Sequence, residues 1–139
     1  MDPVFKKVAV PRIDTAAFTM NPIELKDFLD FEARRVYYIT DVKGPTSAHA
    51  HYEEKEFFVM VAGSCLAEID AGGGIEEIPL QGPSDALYIG NYVWHHFKDF
   101  AAGSVLMAIS STNYRPDRSD YMEDYGKYKA ELAKFKGAN

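Results

Sequence analysis

His49-Ala50-His51-Tyr52-Glu53-Glu54-Lys55-Glu56-Phe57-Phe58-Val59-Met60-Val61-Ala62-Gly63 sets two histidines one residue apart, a carboxylate five residues on and a glycine after an apolar run. Residues i and i+2 of a strand point to the same side of the sheet, so the two imidazoles converge on one volume. Inside a barrel, such a pair either holds a metal ion or moves protons. Residues 57–61 then form a strand closed by a turn at Ala62-Gly63, and residues 65–70 alternate as its hairpin partner.

Working outward, residues 35–40 (Arg35-Val36-Tyr37-Tyr38-Ile39-Thr40) are β-branched and aromatic, which predicts a strand ended by Gly44-Pro45. Residues 4–10 alternate loosely and predict an N-terminal strand that pairs outside the main sheet, within a segment reaching residue 20. Asn21-Pro22 followed by Glu24, Leu25 and Phe28 predicts a short helical turn. Downstream, Gly72-Gly73-Gly74 and Gly82-Pro83-Ser84 separate strands at 75–80 and 86–89, and two more follow at 92–97 and 105–110. Residues 121–136 predict a C-terminal helix, with Tyr125, Tyr128 and Leu132 on one face. Short strands at this spacing with Gly/Pro turns make the chain all-β, a β-sandwich or barrel of one domain over 1–139.

Composition narrows the function. A formal charge of −6 provides no basic stripe for phosphate backbones and argues against nucleic acid. A lone Cys65 rules out an intramolecular disulfide and agrees with a reducing compartment. Its neighbours carry nothing to activate the thiol, so it reads as a small buried apolar group. No signal peptide is expected at Met1 and no apolar run is long enough to span a bilayer, so the expected location is cytoplasmic, with no membrane partner.

The spacing His49-x-His51, Glu56, Gly63 resembles the first motif of the cupins, small jelly-roll barrels with ligands lining the interior. The second cupin motif is weaker: Gly82 and Gly90 are present, Tyr88 stands where a proline is usual, and His95-His96 fall late. A metal-dependent cupin would use His49, His51, Glu56 and His95 as ligands, a set suited to zinc, iron or manganese. Only one of His95 and His96 can point inward on a regular strand. The run 53–56 otherwise reads as a solvated acidic turn.

More of the chain, from about residue 20 to 125, resembles the sugar-nucleotide 3,4-ketoisomerases of the cupin superfamily. The matching pieces are Arg35-Val36-Tyr37-Tyr38-Ile39, His49-Ala50-His51, Gly63-Ser64, Leu87-Tyr88-Ile89, Val93-Trp94-His95, Asp99-Phe100, Tyr114 and Asp120-Tyr121. The resemblance implies 3,4-ketoisomerisation of a dTDP-linked 4-keto-6-deoxyhexose in deoxyaminosugar biosynthesis, with no cofactor and no catalytic metal. It implies His49 and His51 as the catalytic acid/base pair, a role that suits the side chain titrating nearest neutrality. Expected substrate contacts are Tyr37 to sugar oxygens, Arg35 to the diphosphate, Glu56 and His95 in the barrel, and Trp94 stacking on base or sugar. Each has a plainer reading as core or surface. The pattern departs from the family at Thr46-Ser47 for Arg-Gly, Tyr52 for Lys, Glu56 for Gln and Glu123 for Arg, which removes basic groups expected near a diphosphate. A binding cupin without activity is the non-enzymatic alternative. The early strand, lacking a local partner, predicts a homodimer.

Overall fold

In the computed structural model, which describes residues 1–137, the chain runs β1 (Phe5–Ala9), β2 (Ile13–Asp14), β3 (Thr19–Met20), α1 (Leu25–Phe28), β4 (Arg35–Ile39), β5 (Ala50–His51), β6 (Glu56–Ala62), β7 (Ser64–Asp70), β8 (Glu76–Gln81), β9 (Asp85–Ile89), β10 (Trp94–Lys98), β11 (Val105–Ser110), β12 (Tyr121–Met122) and α2 (Tyr125–Gly137). The larger sheet has the order β1-β9-β6-β11-β4 and the smaller the order β10-β7-β8, antiparallel throughout. The two face each other across a core of Phe58, Met60, Leu87, Ile89, Leu106 and Ala108 from one side and Cys65, Ala67, Ile69, Leu80 and Phe97 from the other. This is the expected jelly-roll barrel with a C-terminal helix.

The unbroken apolar run in β6 follows from burial of both its faces. Phe58 and Met60 enter the barrel, while Phe57 and Val59 pack outside it beneath Ile23, Phe28, Leu29 and Phe31. Each fully buried side chain of this size stabilises by about 1.5–3 kcal/mol. The segment around α1 is therefore a lid on the larger sheet rather than a free loop.

Two expectations are corrected. β1 is not outside the main sheet; it pairs with β9, Phe5 opposite Ile89. The early strand thus has a partner in its own chain, and that argument for a homodimer falls. The C-terminal helix begins at Tyr125, not at residue 121, because Tyr121–Met122 pairs with the His51 strand and Asp124 then caps the helix, its Oδ1 accepting from Lys127 N at 2.8 Å. A 13-residue helix is marginal alone. Tyr128 and Leu132 hold it down against Ala50, Trp94 and Met122. No helix among the described residues is long and apolar enough to cross a membrane.

Candidate active site

His49 and His51 share a face as the strand period requires, with ring centroids 4.7 Å apart. His49 forms a β-bridge with His95, exchanging backbone bonds of 3.1 and 2.9 Å, which brings a third imidazole to the same place. β10 turns His95 inward and His96 outward, where His96 Nε2 meets Glu68 at 2.9 Å. Glu56, first residue of β6, enters from the larger sheet. Tyr37 on β4 donates its hydroxyl to Glu56 Oε2 at 2.5 Å.

The ring nitrogens are not equivalent. His49 Nδ1 donates to Ser47 O at 2.9 Å and His95 Nδ1 to Val93 O at 3.0 Å, which leaves both Nε2 atoms as bare acceptors. His51 instead sits among carboxylates. Its Nδ1 is 3.2 Å from Asp120 Oδ2 and 3.6 Å from Glu54 Oε1, and its Nε2 is 3.5 Å from Glu56 Oε1. Its Nε2 also lies 3.1 Å from His49 Nε2. A contact that short between two ring nitrogens requires one proton between them.

Electrostatics place that proton on His51. Burial alone would make His51 harder to charge, but Asp120, then Glu56 and Glu54, outweigh it and raise its pKa to about 9. Burial, reinforced by the His51 charge, lowers His49 to about 4. Burial, followed by His49, lowers His95 to about 3. Glu56 would be raised by burial, yet His51, His95 and Tyr37 bring it down to about 2. Burial, then the Glu56 charge, pushes the Tyr37 phenol well above its usual range. The site is one imidazolium and two neutral imidazoles around a firmly ionised Glu56.

Glu54 and Asp120 were not singled out from the sequence. The acidic turn is not solvated at Glu54 and Glu56, which are 4% and 2% exposed. Glu54 accepts from Arg35 at 2.9 Å and from Ser110 Oγ at 2.6 Å, while burial and the Glu56 charge raise its pKa. Asp120 accepts the backbone N–H of Glu53 and of Glu54 at 2.8 and 3.1 Å. Period-2 parity with Glu56 was the available signal for Glu54. For Asp120 it was only the Asp120-Tyr121 pair, since its approach depends on β12 meeting β5.

Arg35 reaches the site, but its guanidinium is held by Glu54 and lies over the Tyr37 and Tyr114 rings. A diphosphate there would share it with Glu54. Trp94 does not join the site. With His95 turned inward, alternation turns Trp94 outward beneath α2, 5.3 Å from Tyr125 and 5.4 Å from Tyr128, so the expected stacking contact is corrected to a core role. Two cavities meet at Tyr37 and His49. One, about 190 Å³, is walled by Ile39, Phe58, Phe97 and Leu106. The other, about 210 Å³, carries Arg35, His51, Glu54, Glu56, Tyr114 and Tyr121. His49, His51, Glu56 and His95 offer one donor atom each, all within 4.8 Å of one another, a set that fits a divalent cation.

Comparison with known proteins agrees with this architecture. Residues 5–133 match the family described as FdtA: WxcM-like, C-terminal. The chain is 38% identical over 132 residues to a TDP-4-oxo-6-deoxy-alpha-D-glucose-3,4-oxoisomerase of Aneurinibacillus thermoaerophilus, covering 94% of this chain and 90% of that one. A double variant of the QdtA 3,4-ketoisomerase from Thermoanaerobacterium thermosaccharolyticum in complex with TDP superposes with a TM-score of 0.86 at 31% identity, covering 94% of each chain. A single variant of QdtA in complex with TDP-4-keto-6-deoxyglucose gives 0.84 at 30%, again over 94% of each. A fold, a histidine-lined barrel and relatives that coincide over nearly the whole length leave one assignment: the chain belongs to the FdtA, WxcM-like family, whose relatives here are sugar-nucleotide 3,4-ketoisomerases.

Proposed function

We propose that the protein is a 3,4-ketoisomerase that moves the ketone of a TDP-linked 4-keto-6-deoxyhexose from C4 to C3, in deoxyaminosugar biosynthesis, using His49 and His51. The observation that carries this reading is the 3.1 Å contact between the two rings, one with its pKa raised by the carboxylates around it and the other with its pKa lowered by burial. A pair holding a single proton can accept at one ring and donate from the other. His49 Nε2 removes the C3 proton as His51 gives its proton to O4, which forms the neutral enediol. His51 then takes the O3 proton while His49, whose carried proton has exchanged with solvent at the enediol stage, delivers a proton to C4, so the pair ends as it began. Tyr37 has already donated to Glu56, so its oxygen is left to accept from a sugar hydroxyl.

Incubation with TDP-4-keto-6-deoxyglucose in deuterated water tests this. Deuterium is expected at C3 or C4, and His49→Asn and His51→Asn should each lower turnover on the order of 10²-fold or more with binding retained. Binding without exchange and without formation of the 3-keto product would indicate a carrier rather than an enzyme.

The four-donor cluster favours a second reading, a metal-dependent cupin. His49, His51, Glu56 and His95 would hold the ion, which would polarise the sugar ketone. Elemental analysis decides: stoichiometric zinc, iron or manganese required for turnover would replace the metal-free reading.

We also propose a homodimer acting in the cytoplasm. Free, buried Cys65 agrees with a reducing compartment. β4 ends the larger sheet, with Val36 60% and Tyr38 68% exposed on it, and a second copy would cover that edge. Light scattering distinguishes one 15.6 kDa chain from two.

A further inference from the structure

Resting on the isomerase reading, we infer that the apolar cavity seats the exocyclic methyl of the hexose, and that Phe58, Phe97 and Leu106 select a 6-deoxy sugar over its 6-hydroxy counterpart. The polar atoms of this chamber gather at one end. His49 and His95 bring bare Nε2 atoms there, and the Tyr37 hydroxyl is bound to Glu56. From His95 an aromatic wall continues without a break, with Phe58 5.9 Å and Phe97 6.2 Å from its ring and 4.7 Å from each other. Ile39 and Leu106 complete the lining; Thr46 Oγ1 accepts from Phe97 N at 2.9 Å, and its O–H is the one polar group along this wall among the described residues.

Hexopyranose geometry dictates the rest. With the C3–C4 edge against the imidazoles, the anomeric carbon and its nucleotide point the opposite way, towards solvent. C5 lies beside C4, so its substituent is carried sideways along the wall. A methyl gains there by leaving water. A hydroxymethyl would lose a water partner against Ile39, Phe58, Phe97 and Leu106, which have none to offer. Selection by an apolar wall against an added hydroxyl is limited to about 10²-fold, and that is the discrimination expected here.

The wild-type protein is assayed by C3/C4 deuterium exchange with three substrates: TDP-4-keto-6-deoxyglucose, its 6-hydroxy counterpart TDP-4-ketoglucose, and the uridine-diphospho form of the deoxysugar. The expected result is kcat/KM lower by about 10²-fold for the 6-hydroxy sugar alone. Leu106→Asn, which supplies an amide to that hydroxyl, should narrow the gap; because it alters the core, its circular dichroism is compared first. Equal kcat/KM for the deoxy and hydroxy sugars would overturn the methyl seat and leave the isomerase intact. A large loss with the uridine form and none with the 6-hydroxy sugar would assign the cavity to the methyl of thymine and overturn it too. Absence of both exchange and 3-keto product with all three would refute the isomerase reading itself.

Discussion

At the scale of single residues, the proposed mechanism depends on neighbours that set two like side chains to different protonation states. His51 is charged because Asp120, Glu56 and Glu54 surround it; His49 is neutral because it is buried against that charge. The base must be unprotonated and the acid protonated, so activity should rise as pH passes about 4, where His49 loses its proton, and fall as pH passes about 9, where His51 loses its own. Asp120→Asn removes the largest influence raising His51. Its alkaline limb should move down by roughly one pH unit or more, with kcat affected more than KM. A pH–rate profile of both proteins checks this, and an unmoved alkaline limb would show that Asp120 only shapes the loop.

At the scale of elements, short strands with tight connections bring the functional residues together. The β6–β7 turn is made by Gly63 at φ +77°, where a Cβ would lie 2.2 Å from Ser104 Oγ and 2.8 Å from Ser104 Cα. Both the left-handed backbone and the clash with main chain oppose a side chain. Gly63→Ala should therefore destabilise by about 1–3 kcal/mol, read from the urea midpoint. Activity per folded molecule should hold, since the turn lies outside the set of residues that line either cavity. β12 has the opposite importance. It is only two residues long, yet it pairs Tyr121 with His51, and Asp120 beside it completes the carboxylate cage.

At the scale of the whole molecule, the buried histidines couple folding to pH. His51 has a folded pKa above the usual 6.5, so its contribution is complete below pH 6.5 and is lost as pH rises towards about 9. His49 and His95 have folded values of about 4 and 3, below 6.5, so their contribution is present above pH 6.5 and is lost as pH falls through that range. Glu56, held near 2, adds to the loss in acid. The melting temperature should peak near pH 6.5, and His51→Asn should flatten the decline on the alkaline side. Thermal melts by circular dichroism across pH 4–9 read both.

Strand rhythm, the His49/His51 face, the glycine turns and the apolar face of the last helix are all legible in the order of the residues. All of these depend on periods of two or 3.6 residues and on backbone preferences that neighbours in the chain carry with them. Packing, by contrast, is what buries Glu54, joins β1 to β9, places Trp94 under α2, and sets Asp120 against His51 from 69 positions away in a chain of 139 residues. Those outcomes depend on which surfaces the sheets and the helix cover once they pack. Burial and long-range charge, the two quantities that set protonation here, exist only after that packing is complete.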